Sequence, residues 1–182
     1  ANGKTLFNST EIANDAAGVA VAKFGTTIVS ENDLLNKDDV DKICTMEEIT
    51  SLLKRNFYKR IGFTNGCFDL IHLGHIEVLA RSADLGDRLI IGVNTDISIK
   101  NIKGENRPII EEDSRVKQLA ALEFVDAVIL FNESTPNKII NHIKPDIITK
   151  GGDYKAEEVI GYKTVSENNG RVVIIPLTQG FS

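Results

Sequence analysis

The chain has 182 residues, 42% of them hydrophobic and 26% charged, with a formal net charge of −5. These fractions lie close to the globular average and exclude wholesale disorder, while the acidic balance argues against a nucleic-acid-coating protein. Two cysteines without a CxxC pair, no apolar run near the roughly 20 residues of a membrane span, and no signal-like opening point to a reducing cytoplasm and no membrane.

In chain order, "NSTEIANDAAGVAVAKFG" (8–25) predicts an Ala-rich helix ending at Gly25, followed by a short strand, "TTIVS" (26–30), and a polar linker over 31–42. A lone helix and strand cannot bury a core, so this piece is expected to pack on the main domain, pair with another chain, or be the stump of a larger domain. The chain starts at Ala1 rather than Met, which fits a processed or cut piece. Thr45 with Glu48 reads as a capping box opening a helix whose apolar stripe is Ile49, Leu52, Leu53 and Phe57. From residue 60, short β-branched runs at 61–64, 88–94, 127–131, 146–150 and 171–176 alternate with helical patterns. Those helices are expected over 75–85, over 111–124 behind the acidic turn Glu111-Glu112-Asp113, from Thr135-Pro136 through His142, and over 156–167. The β-α alternation predicts a doubly wound α/β domain.

The stretch with most chemistry is "GFTNGCFDLIHLGHIEVLA" (62–80). The first strand ends near Thr64, Asn65-Gly66 permits a sharp turn, and a helix is expected to start near His72–His75. Helix-start amides make an anion site, and two imidazoles there can donate to phosphate oxygens; Gly74 between them keeps the approach open. Capping or surface roles for the histidines stand as the plain alternative. A zinc site with Cys67 and Asp69 matches no recognised ligand spacing, and Cys67 is most simply a small buried hydrophobe. No G-x-G-x-x-G follows the first strand, which weakens a dinucleotide oxidoreductase reading. His142 reads as a surface or half-buried residue near a helix end.

"TNGCFDLIHLGH" resembles the first signature of the HxGH nucleotidyltransferase superfamily, the cytidylyltransferase-like proteins, and most closely the bacterial adenylyltransferases that make ADP-heptose for lipopolysaccharide. "GDRLIIGVNTD", "KGENRPI", "EEDSRVKQLAALEFVDAVILF", "PDIITKGGDY" and "VVIIPLTQGFS" are similar to the family's successive segments, in order, so the resemblance covers roughly residues 60–182. It implies a Rossmann-like doubly wound parallel five-stranded sheet, here with a small N-terminal helix-strand extension. It also implies AMP transfer from ATP to D-glycero-β-D-manno-heptose 1-phosphate, with Mg²⁺ accompanying the ATP and no metal site built by the protein. By position, His72, His75 and Lys103 take the catalytic roles. Thr64, Asn65, Gly66, Cys67, Phe68 and Gly74 from the signature, with Asn94 and Asp96 after the second strand, are implied to bind nucleotide. Lys103 and Arg107 fall in a Gly- and Pro-bearing loop that closes over the triphosphate. Arg115 is implied in nucleotide binding too, although its local sequence favours a salt bridge to Glu111 or Glu112. Lys150, Gly151, Gly152 and Asp153 follow the fourth strand; Thr178, Gly180, Phe181 and Ser182 follow the fifth and complete the implied nucleotide site. Asp69 is either an indirect metal contact or a loop-capping residue.

Two departures stand out: the family motif at 178–182 usually runs on into a Ser/Thr-bearing helix, and Leu177 occupies a position where some cytidylyltransferases carry arginine. "ANDAAGVAVAKFGTTIVS" is similar to the last helix and strand of ribokinase-like sugar kinases, and the kinases' Gly-Ala-Gly-Asp stretch is absent from this sequence. The resulting domain reading is a kinase-like remnant and linker over 1–44 and a nucleotidyltransferase domain over 45–182. The expected partners are ATP and a sugar phosphate, with no nucleic acid; homo-oligomerisation stays open. The competing functions are a cytidylyltransferase acting on a polyol or choline-type phosphate and a non-catalytic nucleotide-binding fragment.

Overall fold

All five runs expected to be strands after residue 60 are strands, and they lie parallel in one sheet of order β3-β2-β1-β4-β5. The computed structural model describes residues 42–56 and 59–176. The expected helix 8–25, the strand 26–30, nearly all of the linker, Phe57 and the site residues Thr178, Gly180, Phe181 and Ser182 lie outside the described residues.

The strands are β1 (Ile61–Gly66), β2 (Arg88–Asn94), β3 (Ala127–Phe131), β4 (Ile147–Gly151) and β5 (Arg171–Ile175). Six of the seven β2 residues are buried, as a strand covered on both faces requires. The chain begins the sheet at its centre, builds outward to β2 and β3, and returns to the far side of β1 with β4 and β5. The winding therefore reverses at β1, and the crevice beyond its carboxyl end is where an open α/β sheet binds ligands.

Helix α1 (Met46–Arg55) opens as its capping box demands: Thr45 Oγ1 accepts from the Glu48 N–H at 3.3 Å, and Glu48 Oε2 accepts from the Thr45 N–H at 2.7 Å. The remaining helices are α2 (Leu73–Ala83), α3 (Asp96–Lys103), α4 (Glu112–Ala120), α5 (Asn137–Ile143) and α6 (Tyr162–Glu167). Leu79 of α2 and Val116 and Leu119 of α4 bury against Leu89, Ile91, Val93 and Val128 of the sheet, joined by Phe68 from the β1–α2 turn. Residues 42–44 run parallel to β3: Cys44 N–H donates to Val128 O at 2.8 Å and Val128 N–H to Lys42 O at 2.6 Å, covering part of the β3 edge.

Three departures from the expected elements have local causes. The helical pattern at 156–167 breaks into a 3-10 turn, Ala156–Glu158, and α6. Gly161 separates them with φ of 95°, and a Cβ there would lie 2.7 Å from Ile140 Cδ1 and Ile148 Cδ1. Packing against two core isoleucines thus overrides periodicity. Thr135 does not cap α5; Pro136 occupies that position, and Thr135 Oγ1 accepts from Asn137 Nδ2 at 3.2 Å. Finally, α3 is a helix where no element was expected, and Lys103, expected in a loop, is its last residue. Thr95 Oγ1 caps the helix by accepting from the Ser98 N–H at 3.2 Å, and Ile99 is fully buried. Three isoleucines in eight residues lower its intrinsic helix propensity, so burial and capping decide the outcome.

Candidate functional site

The site grows from the turn between β1 and α2. Gly66 ends the strand, and a Cβ there would meet the Phe68 ring at 3.1–3.2 Å, so the turn closes tightly only with glycine. Phe68 itself takes the left-handed conformation, φ 49°, while its ring is buried in the core. Such a backbone conformation in a bulky residue costs about 1–3 kcal/mol and marks a turn held by its surroundings.

This turn delivers the two histidines to the start of α2. His72 is the N-cap residue with extended backbone, and its side chain caps no amide. The first amides of α2 are thus left without a side-chain cap at the positive end of the helix dipole. The His72 and His75 ring centroids are 3.9 Å apart, and the His75 ring meets Phe68 edge-on at 5.6 Å. Burial, then the neighbouring His72 and Lys103 charges, push the His75 imidazole below the ordinary histidine pKa. Its Nδ1 is buried without a hydrogen-bond partner. The ring lines a cleft while this nitrogen's bonding capacity stays unused beneath it.

The cleft has a volume of about 500 Å³ and is lined by Cys67, Phe68, Asp69, Leu70, His75, Lys103 and Arg107. Lys103 is the last residue of α3, not a loop residue, and Gly104 follows as the cap. Helix α3 therefore fixes the Lys103 backbone, and its exposed side chain carries a positive charge toward His75.

Asp69 is buried, and three donors take up its carboxylate. Oδ1 accepts from the Ile109 N–H at 2.6 Å and the Ile110 N–H at 3.0 Å; Oδ2 accepts from Arg107 Nη1 at 2.5 Å. Burial pushes this carboxyl up, but the Ile110 amide, the Arg107 guanidinium and the Ile109 amide outweigh it and hold the pKa below the usual carboxylate value. Among the described residues no group of three or more His, Cys, Asp or Glu side chains is placed to hold a metal ion.

Arg115 lies deeper still, fully buried on α4. Its Nε donates to Ile110 O at 2.9 Å, Nη1 to Cys67 O at 2.6 Å and Nη2 to Asp96 Oδ1 at 2.7 Å. The salt bridge expected to Glu111 or Glu112 is replaced by the one to Asp96, because Arg115 shares the inward face of α4 with Val116 and Leu119. Glu112 instead accepts from the Asp96 N–H at 2.6 Å. Arg115 thus ties the histidine turn, the Arg107 loop and α3 together from beneath.

The other expected residues divide between the rim of this crevice and its foundations. Asn94 Nδ2 donates to Ser98 Oγ at 3.0 Å, and Cys67 Sγ lies 3.9 Å from Asn94 Oδ1. Lys150 Nζ donates to Asn65 O at 3.4 Å; burial lowers its pKa against a smaller upward pull from Cys67. Thr64 is buried in the sheet, where its hydroxyl donates to Thr149 O at 3.0 Å. Gly74 is buried in the first turn of α2, Gly151 ends β4, and the Gly152 N–H donates to Ile175 O at 3.1 Å, leaving Asp153 exposed beyond it. His142 stands apart, exposed on α5, with Nε2 2.7 Å from Thr50 Oγ1 of α1.

Sequence reasoning missed the paired amides on Asp69, the burial of Arg115 and the place of Leu70 in the cleft wall. One signal was available for Arg115: it lies one residue before Val116 and four before Leu119 on the apolar stripe.

The cytidylyltransferase-like family matches residues 63–179. Bifunctional protein HldE of Campylobacter jejuni subsp. doylei is 46% identical over 185 residues, covering all of this chain and 39% of that protein. The protein of the same name from Citrifermentans bemidjiense is 43% identical over 188 residues, covering 99% of this chain and 39% of its own length. The chain thus spans about two-fifths of the curated relatives it matches. Among solved structures, the lipopolysaccharide core biosynthesis protein from Thermoplasma volcanium is 35% identical with a TM-score of 0.54, covering 66% of this chain and 97% of that one. Pantoate-beta-alanine ligase from Francisella tularensis, at 15% identity and a TM-score of 0.56, shares the fold.

Proposed function

The chain belongs to the cytidylyltransferase-like family, and from that premise we propose that it transfers AMP from ATP to D-glycero-β-D-manno-heptose 1-phosphate, giving ADP-heptose and pyrophosphate. The observation that carries this reading is the pair of imidazoles 3.9 Å apart at the start of α2, of which His75 lines a cleft that also holds Lys103 and Arg107. The 42–46% identity to several HldE proteins supports the substrate choice, as does the likeness to a lipopolysaccharide core biosynthesis protein.

In this reading a phosphate oxygen of the sugar phosphate attacks the α-phosphorus of ATP in line, and the bond to the departing pyrophosphate breaks. No covalent intermediate with the protein is involved, so catalysis consists of positioning and charge stabilisation. His72 and His75 donate hydrogen bonds to phosphate oxygens and stabilise the charge that grows on them. Lys103 and Arg107 neutralise the pyrophosphate. Asn94, Asp96, Lys150 and the 151–153 turn, with Thr178, Gly180, Phe181 and Ser182 beyond β5, complete the nucleotide site in this assignment. Among the described residues no group of three or more His, Cys, Asp or Glu side chains is placed to hold a cation, and the Asp69 carboxylate is already engaged by three donors. A divalent ion, Mg²⁺ in this reading, would accompany the ATP and would supply charge neutralisation at its phosphates beside Lys103 and Arg107.

Residues 1–44 are assigned as a kinase-like remnant and linker, and 45–182 as the transferase domain. Among the described residues no helix is long and apolar enough to cross a membrane; in this reading the enzyme acts in the cytoplasm on small phosphorylated substrates. The test is pyrophosphate release with ATP and with CTP, each against a panel of sugar and polyol phosphates. Release confined to ATP plus the heptose 1-phosphate is expected. Release with CTP and a polyol or choline-type phosphate would replace the reading by a cytidylyltransferase, and nucleotide binding without release from any pair would leave a non-catalytic binding domain.

A further inference from the structure

We propose that Asp69 is a positioning residue: its carboxylate pins the 109–110 backbone with one oxygen and aims the Arg107 guanidinium into the His75 cleft with the other. This rests on the reading that Arg107 faces a triphosphate. The two oxygens divide the work, Oδ1 taking two consecutive amides and Oδ2 taking Arg107. The anchoring side is the buried one: the Asp69 side chain is 5% exposed and that of Arg107 42%. Such a pair orients the exposed partner, because only the guanidinium has room to swing. Ile110 is fixed at both its backbone polar groups, its N–H on Asp69 and its carbonyl on Arg115. Arg115 also holds Cys67 O, two residues before Asp69, so the hydrogen bonds close a ring between the histidine turn and the Arg107 loop. The opposite end of that loop is open: residues 104–106 are exposed, and nothing lies within 4 Å of where a Gly104 Cβ would stand.

The test uses Asp69→Asn and Asp69→Ala, each alone and combined with Arg107→Ala. Asparagine keeps an oxygen for the two amides and loses the charge that holds Arg107; alanine loses both. Amide hydrogen exchange at Ile109 and Ile110 is expected to stay at the wild-type rate in Asp69→Asn and to rise at least about 10-fold in Asp69→Ala. Asp69→Asn is expected to lower kcat/KM for ATP about 10-fold, the scale of one charge-assisted contact, and to have no further effect once Arg107 is alanine. A loss from Asp69→Asn that persists in the Arg107→Ala background overturns the proposal, as does wild-type kcat/KM in Asp69→Asn. Unchanged exchange in Asp69→Ala overturns the pinning half. If Asp69→Ala does not fold, Asp69→Asn and its double variant still decide the aiming of Arg107. If the wild-type chain releases no pyrophosphate, the proposed function fails by itself. The exchange rates and calorimetric binding of a non-hydrolysable ATP analogue across the same variants then decide the role of Asp69.

Discussion

The turn from β1 into α2 and the loop from α3 into α4 face the same cleft, yet they are held in different ways. The first is shaped mostly by its own residues, with Arg115 and Lys150 holding its carbonyls from outside: Gly66 admits the Phe68 ring, Phe68 drops into the core from a left-handed backbone, and His72 and His75 follow on one helical turn. The second leans on residues distant in sequence, with its 109–110 backbone on Asp69 and Arg115 and its Arg107 on Asp69. Precision in a site can be built into a short motif or supplied from outside it, and this cleft needs one wall of each kind.

The contrast breaks most completely at Arg115, which serves both walls. Arg115→Ala leaves Cys67 O and Ile110 O without their donor and Asp96 without its cation, and is expected to cost about 3–5 kcal/mol in denaturant unfolding. His75→Ala strikes only the first wall. It should lower kcat at least about 10²-fold while circular dichroism remains that of the folded protein; near-normal turnover would remove His75 from the mechanism. Gly66→Ala sets a methyl against the Phe68 ring and is expected to destabilise by about 1–3 kcal/mol, read from the shift in unfolding midpoint. Asn106→Ala, in the open half of the second loop, should stay within about 0.5 kcal/mol of wild type. A large loss there would mean that the second loop is shaped by its own residues as much as the first turn is.

Acid sharpens the same contrast. The folded-state pKa of His75 is depressed, chiefly by burial, so as pH falls below about 6.5 the unfolded chain takes up a proton before the folded one does. Stability associated with His75 is thus complete above that pH and declines below it. Chemical unfolding across pH 5–7 should show this decline in the wild type and a weaker one in His75→Gln.

How much could be read without coordinates follows the same division. The β1–α2 turn was legible because glycines, a Phe-Asp pair and two histidines lie within one short stretch, and strand and helix periodicity flank it. The five strands were legible for a similar reason: short β-branched runs, apolar on both faces where they are longest, leave few alternatives, and β2 is buried at six of its seven residues. Helix α3 was not: no element was expected between β2 and the loop at Lys103, and only capping by Thr95 and burial of Ile99 make it a helix. Arg115 was misassigned to Glu111 or Glu112 because i,i+4 pairing assumes an exposed helix face, and burial of that face redirects the guanidinium to Asp96.

The sequence by itself determined the five strands, the helices other than α3 and the placing of two histidines at a helix start, because periodicity, capping and turn chemistry act over a few neighbouring residues. Only the tertiary structure decided which side chains complete the cleft and which support it. Asp69 meets Ile109 and Ile110, and Arg115 meets Cys67, only after the sheet has brought those segments together. A buried charge takes whatever donors and acceptors the packed fold presents, and no local pattern encodes that choice.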